Sequence, residues 1–184
     1  MHWWVVWVVS GAVVLYVAWT YNRLVGLSKR ADGSWSDIDV QLKRRWDLVP
    51  ALVETVKGYA GHESSTLREV TEARTRATAA QSPSDRGAPE RSLAAAVGGV
   101  FVLAEAYPDL KASQNFAELQ KSLTEIENNV QYARRYYNAV VRDYNTLVES
   151  VPPMFVARAG GFAPRDYFQL DDAAERAAPQ VRLG

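Results

Sequence analysis

The chain has 184 residues, and 21 Lys and Arg residues balance 21 Asp and Glu residues, so its formal net charge at pH 7 is zero. This balance removes the electrostatic basis for nucleic-acid binding, which depends on clustered positive charge. The chain contains no cysteine, which excludes disulfides, thiolate nucleophiles and cysteine-based metal sites. Its length accommodates one soluble domain and a membrane anchor.

The first predicted element is an uncharged, apolar run from Trp3 to Thr20. As a helix rising about 1.5 Å per residue it would span roughly 27 Å, close to the ~30 Å hydrocarbon core of a bilayer. Aromatic rings cluster at both ends of the run, as expected where they settle at the two membrane interfaces. We therefore predict a transmembrane anchor over residues 1–22. The predicted membrane-interface anchors are Trp3, Trp4, Trp7, Trp19, Tyr21 and Arg23.

The flanks of this run predict its processing and its orientation. No basic segment precedes it, and the Tyr-Val-Ala tripeptide at 16–18 is too bulky for a signal-peptidase site, so we expect the segment to be retained. Arg23, Lys29 and Arg30 follow the run, whereas no Lys or Arg precedes it. By the positive-inside rule, the long C-terminal part is then cytoplasmic.

The remainder of the chain predicts an all-α fold. Apolar residues recur at intervals of three and four, the spacing of a helix with one buried face. Pro50 interrupts the first stretch, where we expect a kink rather than a stop. In the last stretch the intervals alternate so regularly that they resemble a coiled-coil seam. The predicted helices cover residues 24–60, 63–80, 90–107 and 115–151.

Proline, glycine and capping residues predict the boundaries of these helices. The segment Gln81–Pro89 contains two prolines and a glycine and predicts a loop. Pro108 is expected to close the third helix, and Asn115 with Glu118 resembles a capping box that opens the last one. The predicted architecture is an N-terminal transmembrane helix followed by an antiparallel bundle of three to four long helices over residues 23–170. The aromatic-rich region 154–168 is expected to pack on the bundle, and residues 171–184 are predicted to form a tail.

Several blocks of this sequence resemble the LemA family, in the family's order and over nearly the whole chain. The resemblance implies a small bacterial membrane protein with a helical bundle, no established biochemical activity and no catalytic residues to transfer. The anchor is then expected to cross the inner membrane once. Trp46 and Ala51 depart from the expected pattern. The matching blocks are WSDIDVQLKRR at 35–45, DLVP at 47–50, LVETVKGYA at 52–60, LAEAYPDLKA at 103–112, ARRYYN at 133–138, YN at 144–145, GF at 161–162 and YF at 167–168.

The sequence contains few of the residues and motifs that catalytic sites require. His62 is the one histidine beyond the anchor, and although Glu63 follows it, Thr66 occupies the place of the second histidine in a zinc-protease motif. A di-iron site would need two Glu-x-x-His pairs, and Tyr59 stands three residues before His62. Neither glycine-rich nucleotide-binding motif occurs. We therefore predict no catalytic residue, no metal ligand, no cofactor and no small-molecule substrate.

The densest charged block begins in the first bundle helix and mixes both signs at helical spacing. Such a block usually forms a solvated face with pairs one turn apart. Alternatively, Arg44, Arg45 and Asp47 pair with Glu105 and Asp109 across the bundle or dock a partner. The predicted interaction face comprises Asp39, Lys43, Arg44, Arg45, Asp47, Glu54, Lys57, Glu105, Asp109 and Arg134.

These observations predict a non-catalytic scaffold or adaptor. It would be anchored in the membrane and would act through self-assembly, as a homo-oligomer, or through protein partners. One alternative is a protein that shapes the membrane by clustering its anchors, which sequence cannot separate from the scaffold. The other is a hydrolase that uses carboxylates such as Glu54, Glu105 or Asp109, and it requires a pocket where carboxylates converge and have raised pKa values.

Overall fold

The computed structural model describes residues 3–60 and 64–169, which form six helices and no strand. This confirms the predicted all-α fold, in which a long apolar N-terminal helix is followed by further helices. His62 and the predicted tail at 171–184 lie outside the described residues. The helices are α1 (Trp3–Lys57), α2 (Ser64–Ala79), α3 (Pro83–Ala104), α4 (Pro108–Lys111), α5 (Gln114–Glu149) and α6 (Pro153–Ala159).

The chain divides into two compact units. Unit 1 comprises residues 1–40 and 131–167, and unit 2 comprises residues 41–130 and 168–184. Two of the three boundaries, after Val40 and after Val130, fall inside long helices, so α1 and α5 both contribute residues to both units; the third follows Tyr167, beyond α6.

In unit 1, α1 packs antiparallel to α5. The rings of Trp35 and Tyr137 lie 5.5 Å apart. Toward the N-terminus of α1, the contacts are with residues nearer the C-terminus of α5. Both helices bury the stripes of apolar residues that their three- and four-residue spacing predicts. A short α6 covers the end of this pair. The buried cluster there consists of Leu24, Tyr144, Val148 and Ala157.

Side chains of α1 and α5 hold the segment that follows α6. The Asn145 amide donates to the Arg165 carbonyl oxygen at 2.9 Å, and its oxygen accepts from the Arg165 N–H at 2.8 Å. The Arg165 guanidinium donates to Asp32 Oδ1 at 2.7 Å and to Ser28 Oγ at 2.9 Å. Phe162 contacts the Tyr21 ring edge-on at 5.5 Å. The expected packing of this region's aromatic residues therefore occurs for Phe162 in unit 1 and for Phe168, which is buried in unit 2, whereas Phe155 and Tyr167 are exposed.

In unit 2, α2 and α3 pack together beside the second part of α1 and the first part of α5. The α2 stripe predicted from the sequence is buried, from Leu67 to Ala77. These apolar faces form the interior of the unit. Its fully buried apolar residues include Leu42, Leu52, Val56, Val70, Leu93, Val100 and Leu110.

The connection between α2 and α3 is shorter than predicted. Residues 81–89 were expected to form a loop, but α3 already begins at Pro83. Ser82 is its N-cap and accepts a hydrogen bond from the Asp85 N–H at 3.2 Å. Proline fits the first turn because its missing N–H would have no helical partner there. The predicted loop is therefore wrong over residues 83–89.

Gly87 is buried in α3 because another part of the backbone passes against it. A Cβ atom at this position would lie 2.0 Å from the carbonyl oxygen of Gln169. That distance is far below any real contact, so only glycine fits this position without displacing one of the two segments.

Helix α1 continues through Pro50, as predicted. Proline has no N–H, so the carbonyl of Trp46, four residues earlier, loses its helical hydrogen bond. Arg74 of α2 replaces it, because its Nε donates to the Trp46 carbonyl oxygen at 2.7 Å. A contact between two helices thus repairs a defect within one of them.

Three predicted boundaries differ from the structure. Helix α3 ends at Ala104, and Pro108 begins α4 instead of closing α3. Helix α5 begins at Gln114, so Asn115 lies in its first turn and cannot be the cap. Val151 was predicted to end the last helix, but α5 ends at Glu149 and Val151 is 71% exposed.

Candidate functional site

One described helix, α1, is long and apolar enough to cross a membrane. Only 6% of its most apolar window is buried, whereas a core helix of a soluble protein would be mostly covered. The predicted interface residues are exposed along it, and the Arg23 guanidinium lies 5.3 Å from the centre of the Trp19 ring. The exposed aromatic anchors are Trp3, Trp4, Trp7, Trp19 and Tyr21.

The interior of unit 2 contains a buried ion pair between α1 and α3. Arg45 is 3% exposed and Glu90 is fully buried, and Arg45 Nη1 donates to Glu90 Oε2 at 3.1 Å. The other carboxylate oxygen, Oε1, accepts from the Trp46 Nε1–H at 2.8 Å. Both oxygens of Glu90 therefore have a partner, as a charge removed from water requires.

The guanidinium of Arg45 reaches a second carboxylate on another helix. Its Nη2 donates to Glu127 Oε2 on α5, whose side chain is 39% exposed. Arg86 lies over the indole ring of Trp46 with its guanidinium carbon 5.6 Å from the ring centre. Arginine suits this position because its planar fork can donate in two directions at once. We call Arg45, Trp46, Glu90 and Glu127 the buried charge cluster.

Burial sets the protonation behaviour of this cluster. Desolvation raises the pKa of the Glu90 carboxyl above its ordinary value of 4.5, and the charge of Glu127 adds to this. Arg45, the Trp46 hydrogen bond and Arg86 act in the opposite direction without cancelling the effect of burial. A buried charge of this kind holds helices in register, because any displacement would leave it without a partner.

A cavity of about 200 Å³ lies beside the cluster, between α3 and α5. Its walls are mostly apolar, and Arg45 and Glu127, which pair with each other, supply its charged groups. Glu54, Glu105 and Asp109, the carboxylates that the hydrolase alternative would use, do not line it. The lining residues are Arg45, Ala94, Val97, Gly98, Phe101, Leu123, Thr124, Glu127 and Asn128.

The predicted interaction face is divided between the two units. Asp39 and Arg134 belong to unit 1 and are half-buried, whereas the other eight residues belong to unit 2. Arg45 is wrongly assigned to a solvated face, since it is buried. Its partners are Glu90 and Glu127 rather than the predicted Glu105 and Asp109. The exposed members in unit 2 are Lys43, Arg44, Asp47, Glu54, Lys57, Glu105 and Asp109.

The exposed members form mainly local contacts. Glu54 pairs with Lys57 one turn away at 3.8 Å, and Glu105 pairs with Lys111. Exposed pairs of this kind contribute little to stability. Within the described ranges 3–60 and 64–169, no group of three or more His, Asp or Glu side chains is placed to hold a metal ion.

Glu90 and Glu127 were not among the predicted residues, although the sequence contains a signal for Glu90. On α3, Glu90 lies in line with Leu93, Val97 and Val100 at intervals of three and four. A carboxylate on an apolar stripe predicts a buried charge that needs a partner. Arg45 likewise lies between Leu42 and Val49 at helical spacing. Glu127 follows Ile126 at the edge of the α5 stripe and carries no comparable signal.

Comparison with known proteins finds similar chains among magnetosome proteins. Magnetosome proteins MamQ 1 and MamQ 2 of Paramagnetospirillum magneticum are each 24% identical to it over 193 residues, covering 89% of this chain and 71% of the relative. MamQ of Magnetospirillum gryphiswaldense is 23% identical over 181 residues, covering 84% and 66%. The model of the LemA family matches residues 34–183. This match covers most of the chain and confirms the resemblance seen in its sequence blocks, so the chain belongs to the LemA family.

Proposed function

We propose that this protein is a non-catalytic scaffold or adaptor of the bacterial inner membrane, acting through self-assembly or through protein partners. Its anchor is the apolar first part of α1, and its C-terminal domain lies in the cytoplasm. Charged side chains exposed on unit 2 are the surface offered to partners.

The continuity of α1 is the observation that carries this proposal. The helix leaves the candidate span without a break and continues into the residues that pack on α5 and α6 in unit 1. A helix keeps its backbone hydrogen bonds within itself, so it can cross lipid and continue into water as one rigid element. An anchor built in this way fixes the adjoining unit at the membrane, which suits a protein that positions others.

The buried charge cluster supports a structural role in preference to a catalytic one. Three of its members are held in the interior by one another, and Glu127, the most exposed member, is paired with Arg45. Carboxylates that act on a substrate must be able to reach it, whereas both oxygens of Glu90 already accept hydrogen bonds from the protein. The names of the relatives associate them with magnetosomes and assign no reaction.

Photo-crosslinking in intact membranes tests this proposal. Benzoylphenylalanine would replace Arg44, which is exposed on unit 2, or Tyr136, which is 58% exposed on unit 1. Phe116 is the matched control, because it is an aromatic residue that is only 2% exposed. Crosslinks of the chain to itself support a scaffold, and reproducible crosslinks to one other protein support an adaptor. If the exposed positions gave no more intermolecular product than Phe116, the proposal would be refuted.

The orientation is tested separately. Protease added to right-side-out spheroplasts is expected to leave the C-terminal domain intact, and it should digest that domain once the membrane is opened. Digestion in intact spheroplasts would place the domain on the other side of the membrane.

A further inference from the structure

The turn between α5 and α6 carries two large apolar side chains that the described part of the chain leaves mostly exposed. Val151 is 71% exposed, and Phe155, in the first turn of α6, is 63% exposed. The opposite side of α6 is buried, since Pro153 and Ala157 belong to the interior of unit 1. We call the outer side, formed by Val151 and Phe155, the apolar corner.

The antiparallel register of unit 1 gives the height of this corner along α1. Trp35 contacts Tyr137, whereas Leu24 clusters with Tyr144 and Val148, so each step back along α1 corresponds to an equal step forward along α5. Extending this register brings Val151 level with the end of the uncharged run, between Trp19 and Tyr21. These are the aromatic residues expected at the membrane interface.

The burial of Thr20 shows that another part of the chain packs on α1 at the same level. Thr20 is fully buried, although Trp19 and Tyr21 beside it are 55% and 45% exposed. A helical residue reaches zero exposure only when another part of the chain covers it, and the ring of Phe162, which follows α6, contacts Tyr21 at 5.5 Å. Protein therefore covers one side of α1, the side of Thr20, at the height where the span ends.

From this geometry we propose that the apolar corner inserts into the interfacial layer of the bilayer beside α1, as a second membrane contact. The proposal rests on α1 being the membrane span. The occupant is lipid because the register places the corner at the height where the candidate span ends. Exposed cations flank it: Arg158 in the last turn of α6 and Arg23 on α1. Aromatic rings and basic side chains together suit the boundary between acyl chains and phosphate groups.

The absence of cysteine from the sequence allows a direct depth measurement. Phe155→Cys would be labelled with a nitroxide in the full-length protein, in vesicles of phosphatidylcholine and phosphatidylglycerol. Collision of the label with oxygen, which concentrates in lipid, would be compared with collision with a water-soluble nickel complex. Val13→Cys reports the span, because Val13 is 56% exposed on its apolar part. Tyr132→Cys is the matched control: Tyr132 is 65% exposed in the same unit, and at ~1.5 Å per residue its level on α1 lies roughly 27 Å beyond Thr20.

The oxygen-to-nickel ratio at position 155 is expected to be severalfold higher than at position 132 and lower than at position 13. A ratio at 155 equal to that at 132, with position 13 deep in lipid, would overturn the apolar corner as a membrane contact and leave the anchor intact. Protection of position 155 from both reagents would mean that protein covers it, which also overturns the lipid assignment. A water-like ratio at position 13 would refute the span itself, and with it both proposals.

Discussion

Replacing Arg45 by methionine tests whether the buried charge cluster holds the helices of unit 2 together. Methionine keeps the apolar length of the side chain and removes its charge. The fully buried Glu90 would then keep the hydrogen bond from the Trp46 indole at 2.8 Å and the attraction of Arg86, and would lose its ion pair with Arg45. Glu127 would lose its ion pair with Arg45, but at 39% exposure its carboxylate can also be solvated by water.

The expected loss follows from the burial of the remaining carboxylate. Removing one partner of a buried ion pair destabilises a protein by about 3–5 kcal/mol. The pKa of Glu90 is already raised by desolvation, so this carboxyl can take up a proton when Arg45 is gone, and we expect the lower end, about 3 kcal/mol. At about 2–4 °C per kcal/mol for a domain of this size, the melting temperature should fall by roughly 6–12 °C.

Thermal unfolding of the detergent-solubilised full chain, followed by circular dichroism at pH 7, measures this loss. Arg44→Met is the matched control, because it removes the same charge from the neighbouring exposed position and should change stability by less than about 0.5 kcal/mol. Adding Glu90→Leu to Arg45→Met should restore much of the loss, since an apolar pair can replace a buried ion pair. Equal effects of Arg45→Met and Arg44→Met, or a double variant less stable than Arg45→Met, would refute the reasoning.

Three further predictions concern unit 2. Because the folded state binds the Glu90 proton more tightly than the unfolded chain does, the free energy of unfolding should fall as the pH rises from 4.5 through the raised pKa of Glu90. In melting curves measured across this pH range, Glu90→Gln should flatten the dependence. Gly87→Ala should lower the free energy of unfolding by about 1–3 kcal/mol through overpacking, whereas Gly98→Ala, whose Cβ would meet nothing within 4 Å, should raise it by about 0.5–1 kcal/mol. Arg74→Met should lower the free energy of unfolding by about 1–3 kcal/mol when Pro50 is present. The loss should be much smaller in a Pro50→Ala background, because alanine restores the helical N–H. Equal losses in the two backgrounds, measured by denaturant unfolding in a double-mutant cycle, would contradict this.

Much of the fold could be predicted because helical periodicity is a local property. Leu42 and Val56 in α1, and Leu123 and Val130 in α5, recur at the spacing that turns them to one side, and the structure buries them. The apolar N-terminal run is equally local, since its length and lack of charge suffice to identify a candidate span.

The beginning of α3 could not be predicted because one set of residues supplies two opposite signals. Prolines, serines and a glycine between 81 and 89 are typical of a loop, but a serine followed by a proline is also a helix start. The structure uses Ser82 and Pro83 in the second way. Gln169, whose close approach explains the glycine at position 87, is 82 residues away in the sequence and leaves no local signal there.

The partners within the buried charge cluster could not be predicted for a related reason. A charged residue in a helical sequence is usually exposed. One interpretation of the sequence therefore placed Arg45 on a solvated face, and the other paired it with Glu105 across the bundle or with a partner. Its partner Glu90 is 45 residues away, and Glu127 is 82 residues away. Only the packing of three helices decides which carboxylates meet this guanidinium.

The replacement of a helical hydrogen bond by Arg74 has a consequence for how the chain is made. Pro50 and Trp46 leave the ribosome before Arg74, which follows 24 residues later. At about 5–20 residues per second, this delay lasts roughly one to five seconds. During that time the Trp46 carbonyl has only water to bond, and the turn before the proline is the weakest part of a helix whose other turns are complete. Packing of α2 on α1 supplies this hydrogen bond, so the backbone hydrogen bonding of α1 is completed only after α2 has been synthesised.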